Sequence, residues 1–113
     1  MAYLGQTYKL VDKVPVPCSI DECILFSSNF KDRIIAKDSF DGVEVSTVFL
    51  TMDHSFGKGE PILFETMILG GQYNDYQWRY STYEEAEAGH QAACYLINKV
   101  SIDRDIKLKK LGI

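Results

Sequence analysis

The spacing of apolar positions changes character along the chain, and each change predicts an element. TYKLV, residues 7–11, alternates polar and apolar side chains and reads as a short strand ended by Pro15 and Pro17, since proline cannot donate to a ladder. In CSIDECILFSS, Ser19 stands ahead of Glu22 at capping-box spacing, and Ile20, Cys23 and Ile24 recur at helical spacing, which predicts a short helix. The unbroken run CILF leaves a strand as the competing reading. RIIAKDSFDGVEVSTVFLTMD predicts a hairpin turning at Asp41 and Gly42, with Val43, Val45, Thr47 and Phe49 on one face of its second arm. PILFETMIL is the next strand, in which Glu65 is the odd residue. QYNDYQWRY follows as a tyrosine-rich turn and short edge strand, with Tyr76, Trp78 and Tyr80 on one face and Gln77 and Arg79 on the other.

The strongest pattern is STYEEAEAGHQAACYLINKV. Ser81 and Glu84 match a capping box, Glu84, Glu85 and Glu87 crowd the positive end of the helix dipole, and Lys99 sits at its negative end. Ala86, Gly89, His90, Ala93, Leu96, Ile97 and Val100 form one stripe, whose small residues let the helix approach a sheet closely. The tail SIDRDIKLKKLGI alternates Ile106 and Leu108 with lysines and predicts a last edge strand or a docking tail. Together these elements predict a single α+β domain over residues 1–113: an antiparallel sheet of about four strands, a short N-terminal helix, and one long C-terminal helix packed on one face.

Composition narrows the function. The formal net charge is −4 and the pI about 5.1, so there is no basic stripe for a nucleic-acid backbone, and direct nucleic-acid binding is not expected. No apolar run approaches the roughly 20 residues that span a bilayer, and MAYLGQTYKL lacks the pattern of a signal peptide, so a cytoplasmic protein with no membrane contact is expected. The odd number of cysteines, 3, fits reduced thiols. Cys18, Cys23 and Cys94 show no paired-ligand motif, so neither tightly bound zinc nor any other cofactor is expected.

Two stretches carry candidate chemistry. The loop from Asp53 to Gly59 brings His54, Ser55, Phe56, Gly57 and Lys58 together. Its glycine-flanked lysine and open amides suit an anion, although no Walker pattern is present, and the same residues would equally serve a structural turn. A second option is an acid–base or metal constellation of His54, Asp53, Glu65 and His90, should the helix bring His90 over the loop. His90 on the apolar stripe reads more simply as a hydrogen-bonded core histidine. The row Tyr73, Tyr76, Trp78 and Tyr80 with Arg79 is rich in residue types that anchor protein interfaces, and it also suits a core-facing aromatic row.

The segments YKLVDKVPVPCSIDE, VSTVFLTMDHSFGKGEPILFETMILGG and RYSTYEEAEAGH resemble a family of short proteins encoded by tailed phages and by bacterial genomes that carry prophages. Ile24 and Phe26 stand where that family usually holds tryptophans, and Glu60-Pro61 stands where it usually holds two prolines. The resemblance implies a genomic origin and brings no activity with it. The expected function is a phage or prophage accessory binding protein, not an enzyme. It would occupy a host protein or a small anionic, nucleotide-like ligand, for instance to inhibit a host defence system. His54, Phe56, Gly57, Lys58, Gly59, Trp78 and Arg79 are the expected contacts. A small hydrolase-type enzyme or a virion assembly protein is the alternative, and a homo-oligomer is left open.

Overall fold

The computed structural model describes the backbone of residues 6–110 and the side chains of residues 6–99. Strands β1 (Thr7–Val11) and β2 (Val14–Cys18) form a two-stranded hairpin, followed by helix α1 (Ile20–Ser27) and a single 3-10 turn (Phe30–Arg33). A four-stranded antiparallel sheet follows in the order β3 (Ile34–Phe40), β4 (Val43–Phe49), β5 (Phe64–Leu69) and β6 (Gln77–Tyr80), and helix α2 (Tyr83–Lys110) crosses one face of it. This is the α+β arrangement the apolar pattern predicts.

VPVP, expected to end a strand, is itself one. Pro17 lies opposite Tyr8 and Pro15 opposite Leu10, so both prolines share one parity of the strand. On an edge strand every second amide points away from its partner, and proline forfeits nothing there. The turn between the strands is made by Asp12 and Lys13, both in the left-handed region at φ 49° and 68°. The hairpin is tied to the sheet where the Tyr8 amide donates to the Thr51 carbonyl at 2.8 Å.

Helix α1 starts as predicted, with the Glu22 amide donating to Ser19 Oγ at 3.2 Å. Its packing differs from the sequence reading: Cys23 is buried, but Ile20 and Ile24 are exposed. The β3–β4 hairpin turns at Asp41 and Gly42, with φ 53° and 80°, as the sequence implies. The N-cap of α2 is one residue later than predicted. The Glu85 amide donates to Thr82 Oγ1, and the Thr82 amide and hydroxyl both donate to Glu85 Oε1, each at 3.1 Å. Ser81-x-x-Glu84 and Thr82-x-x-Glu85 are equivalent as sequence, and the second forms the box.

The tail is not a strand. Residues 101–110 continue α2, because Arg104, Lys107, Leu108, Lys109 and Lys110 are good helix formers and no glycine or proline intervenes before Gly112. The side chain of Val100, placed on the helix stripe, lies outside the described side chains.

The core between sheet and helix has two apolar halves. Val45, Ile68, Ala93 and Ile97 form one; Phe49, Leu63, Phe64 and Ala86 form the other, with Phe26, Tyr8 and Tyr83 packed against it. Between them lies a polar layer. Thr47 separates Val45 from Phe49 on β4, Thr66 separates Ile68 from Phe64 on β5, and His90 separates Ala86 from Ala93 on α2.

Candidate functional site

His90 is 2% exposed, and both its ring nitrogens are engaged. Nδ1 lies 2.7 Å from Thr47 Oγ1, which lies 2.6 Å from Thr66 Oγ1; Nε2 lies 2.7 Å from Asp38 Oδ2. The chain Thr66–Thr47–His90–Asp38 thus runs from β5 through β4 and α2 to β3. Asp38 faces the helix because Ala36, Asp38 and Phe40 alternate with Lys37 and Ser39, and the register sets Asp38 opposite the buried Val45. The hydrogen bond with His90 holds the Asp38 carboxyl below its ordinary value. One helical turn beyond His90, the Cys94 thiol donates to the same Asp38 oxygen at 3.7 Å. Burial, and then the Asp38 charge, push that thiol up to about 11.

A hydroxyl, an imidazole and a carboxylate in line resemble a nucleophile with its base and orienting acid. Thr47 is fully buried beneath the helix, however, and its hydroxyl is occupied on both sides by Thr66 and His90. No substrate reaches that oxygen in this conformation. Among the described residues, no buried side-chain nitrogen or oxygen lacks a partner, so the layer is satisfied as it stands.

The constellation of His54, Asp53, Glu65 and His90 is not brought together. Glu65 alternates with the buried Phe64 and Thr66, so it lies on the face of the sheet away from α2, where its carboxylate accepts from Arg79 Nε at 2.9 Å. His54 sits in the loop beyond the Phe49–Phe64 pair; its amide donates to the Ile62 carbonyl at 3.0 Å. Asp53 staples that loop. Its Oδ1 accepts from the Ser55 and Ile62 amides at 2.7 and 2.9 Å, and its Oδ2 accepts from the Ser55 hydroxyl at 2.8 Å. These bonds close the loop as a structural turn. Phe56, Gly57 and Gly59 adopt φ of 55°, 80° and 82°, which leaves Phe56 71% exposed and Lys58 at the exposed tip.

The aromatic row behaves differently. Tyr73, Tyr76 and Trp78 stack edge to face with centroids 5.2 and 6.1 Å apart. Trp78, 37% exposed, then lines a groove of about 250 Å³ between β6 and α2, together with Tyr80, Gly89, Ala92, Ala93 and Leu96. Gly89 makes the groove's floor: a Cβ there would run into the Tyr80 ring. Among the described residues, no charged side chain lines the groove. Arg79, its neighbour in sequence, is on the opposite face with Glu65.

Sequence reasoning passed over Asp38, Thr47, Thr66 and Cys94 as partners of His90. Two signals were available: His90 and Cys94 share a helix face at i, i+4, and Thr47 and Thr66 interrupt otherwise apolar strand faces. No family model matches the chain, and the searches of curated proteins and of solved structures likewise returned no match.

Proposed function

We propose that this chain is a non-enzymatic binding domain that takes an apolar segment of a partner protein in the groove between β6 and α2. The observation that carries the reading is the aromatic row that leads from Tyr73 through Tyr76 to Trp78 and into the groove, at an outer strand of the sheet. Large aromatic side chains beside an uncharged concave surface are what protein interfaces use as anchors. A partner protein fits this surface better than a small anion does, because Trp78, Tyr80, Gly89, Ala92 and Leu96 present no cation. The candidate anion loop lies before β5 and the aromatic turn after it, so the two patches sit at opposite ends of that strand. The resemblance to phage and prophage proteins makes a bacterial host protein, such as a component of a defence system, the natural partner.

The test is capture from bacterial lysate by wild type, Trp78→Ala, Ala92→Phe and Lys58→Ala, each first checked for folding by circular dichroism. Ala92 is exposed on the helix and lines the groove, so phenylalanine there fills it from the solvent side. A protein retained by wild type and Lys58→Ala and lost by both groove variants is the expected result. Equal capture by all four sinks the reading.

A further inference from the structure

The polar layer ends at the β3 edge in a cluster that the binding reading leaves unused. Asp38 Oδ2, His90 Nε2 and Cys94 Sγ all lie within 4.8 Å of one another, with Oδ2 at 2.7 Å from the nitrogen and 3.7 Å from the sulfur. Ligand atoms about 2.0–2.3 Å from a tetrahedral zinc are themselves about 3.3–3.7 Å apart. The Asp38–Cys94 spacing of 3.7 Å already fits, the His–Asp contact has to part by a fraction of an ångström, and the His90–Cys94 pair lies within 4.8 Å and closes by about 1 Å at most.

We propose that Asp38, His90 and Cys94 form a binding site for a zinc-like divalent transition metal, with solvent in the fourth position. Three features support it. The donors are one carboxylate, one imidazole and one thiol, a set that suits borderline-soft ions and disfavours magnesium and calcium. The set is also charge-matched: carboxylate and thiolate together neutralise a dication, which a half-buried site requires. On binding, Cys94 loses its thiol proton to solvent and the Sγ–metal bond replaces S–H, while His90 binds through Nε2 as an imidazole that carries its proton on Nδ1.

The second feature is that the surroundings already serve this other tautomer. Metal-bound histidines donate their remaining N–H to a fixed acceptor. Thr47 Oγ1 is in that position at 2.7 Å, and a threonine hydroxyl both donates and accepts. Without metal, Nε2–H donates to Asp38 and Thr47 donates to Nδ1; with metal, Nδ1–H donates to Thr47, which turns its proton to Thr66. The pair of hydroxyls at 2.6 Å reverses direction without moving a heavy atom.

The third feature is access. The Asp38 side chain is 53% exposed although His90 is buried, so an ion reaches the donors from the β3 edge and keeps an open coordination position there. Such an open site with three protein ligands differs from the closed, paired-motif zinc that the sequence argues against, and sequence could not reveal it because Asp38 joins from 52 residues away.

The test is titration of purified full-length protein, first stripped by chelator, with cobalt(II) chloride followed by zinc displacement. Cobalt bound through Cys94 gives a thiolate-to-cobalt charge-transfer band in the near ultraviolet and intense visible bands of a tetrahedral ion. The expected result is one ion per chain, a band lost in both Cys94→Ser and Cys94→Ala, and a band kept in Cys23→Ala, with all variants folded by circular dichroism. Thr47→Val should weaken binding by about 10–100-fold. Absence of the band in wild type overturns the site, as does its persistence in the Cys94 variants or its loss in Cys23→Ala alone.

Discussion

His90 Nε2 sits 2.7 Å from Asp38 Oδ2 across a sequence separation of 52 residues, which joins the N-terminal third of the long helix to the outer strand β3. Through Thr47 and Thr66 the same ring is joined to β4 and β5. One histidine thus ties α2 to three strands at once, between the two apolar halves of the core.

The first prediction concerns this layer. His90→Leu keeps most of the volume but leaves the threonine pair and Asp38 without the ring, and should cost about 1–3 kcal/mol. His90→Ala adds a cavity and should cost more, about 3–5 kcal/mol. Combining His90→Leu with Thr47→Val and Thr66→Val should recover part of the loss, because removing the buried partners together is nearly neutral and the remaining partner, Asp38, is 53% exposed to solvent. Urea midpoints of the three variants decide it; a triple variant less stable than His90→Leu would mean the layer does not act as a unit.

A pH dependence follows from Asp38. Its folded value lies below its unfolded one because of the hydrogen bond with His90, so its stabilising contribution is present above the ordinary carboxylate value, about 3.9, and disappears as pH falls through the depressed folded value. Wild type should therefore exceed Asp38→Asn in stability at neutral pH, and the two should converge below about pH 4. Thermal melts across the acid range measure this, and a constant difference down to the lowest pH would remove Asp38 from the acid limb.

For the loop, stability and surface chemistry should separate by residue. Asp53→Ala removes the acceptor of the Ser55 and Ile62 amides and the Ser55 hydroxyl, and should cost about 2–4 kcal/mol. Lys58→Ala and Phe56→Ser, at the exposed tip, should stay within about 0.5 kcal/mol of wild type. Chemical denaturation resolves effects of this size. If Lys58→Ala destabilises as much as Asp53→Ala, the tip is part of the packed turn.

Small residues on α2 supply the last prediction. Ala93 is buried against Val45 and Ile68, and Ala93→Phe should overpack that contact at a cost of about 1–3 kcal/mol. Gly89→Ala gains about 1 kcal/mol of helix propensity but sets a methyl against the Tyr80 ring, and the clash should prevail. In a Tyr80→Leu background the same substitution should turn neutral or stabilising. Melting temperatures of the four combinations test this as a double-mutant cycle.

The sequence by itself determined what depends on local spacing. Ser19 and Glu22 begin α1, Asp41-Gly42 turns the β3–β4 hairpin, and the period of Ala86, His90, Ala93 and Ile97 defines the buried face of α2. These are contacts between residues a few positions apart, where backbone geometry and side-chain period suffice. Elsewhere the structure corrected a local reading: Thr82 caps α2 where Ser81 was expected, Val14–Cys18 is a strand where the prolines were expected to end one, and residues 101–110 are helix where an edge strand or a docking tail was expected. The polar layer and the cluster at its edge were decided by tertiary structure alone. His90 was legible as a hydrogen-bonded histidine on the apolar stripe, but its partners were not, and only strand register combined with the placement of α2 brings a carboxylate, two hydroxyls, an imidazole and the Cys94 thiol into one connected chain. The groove has the same origin. Gly89 shows as a small residue on a helix, but the space it leaves becomes a surface only when Trp78 and Tyr80 of an outer strand close its other side.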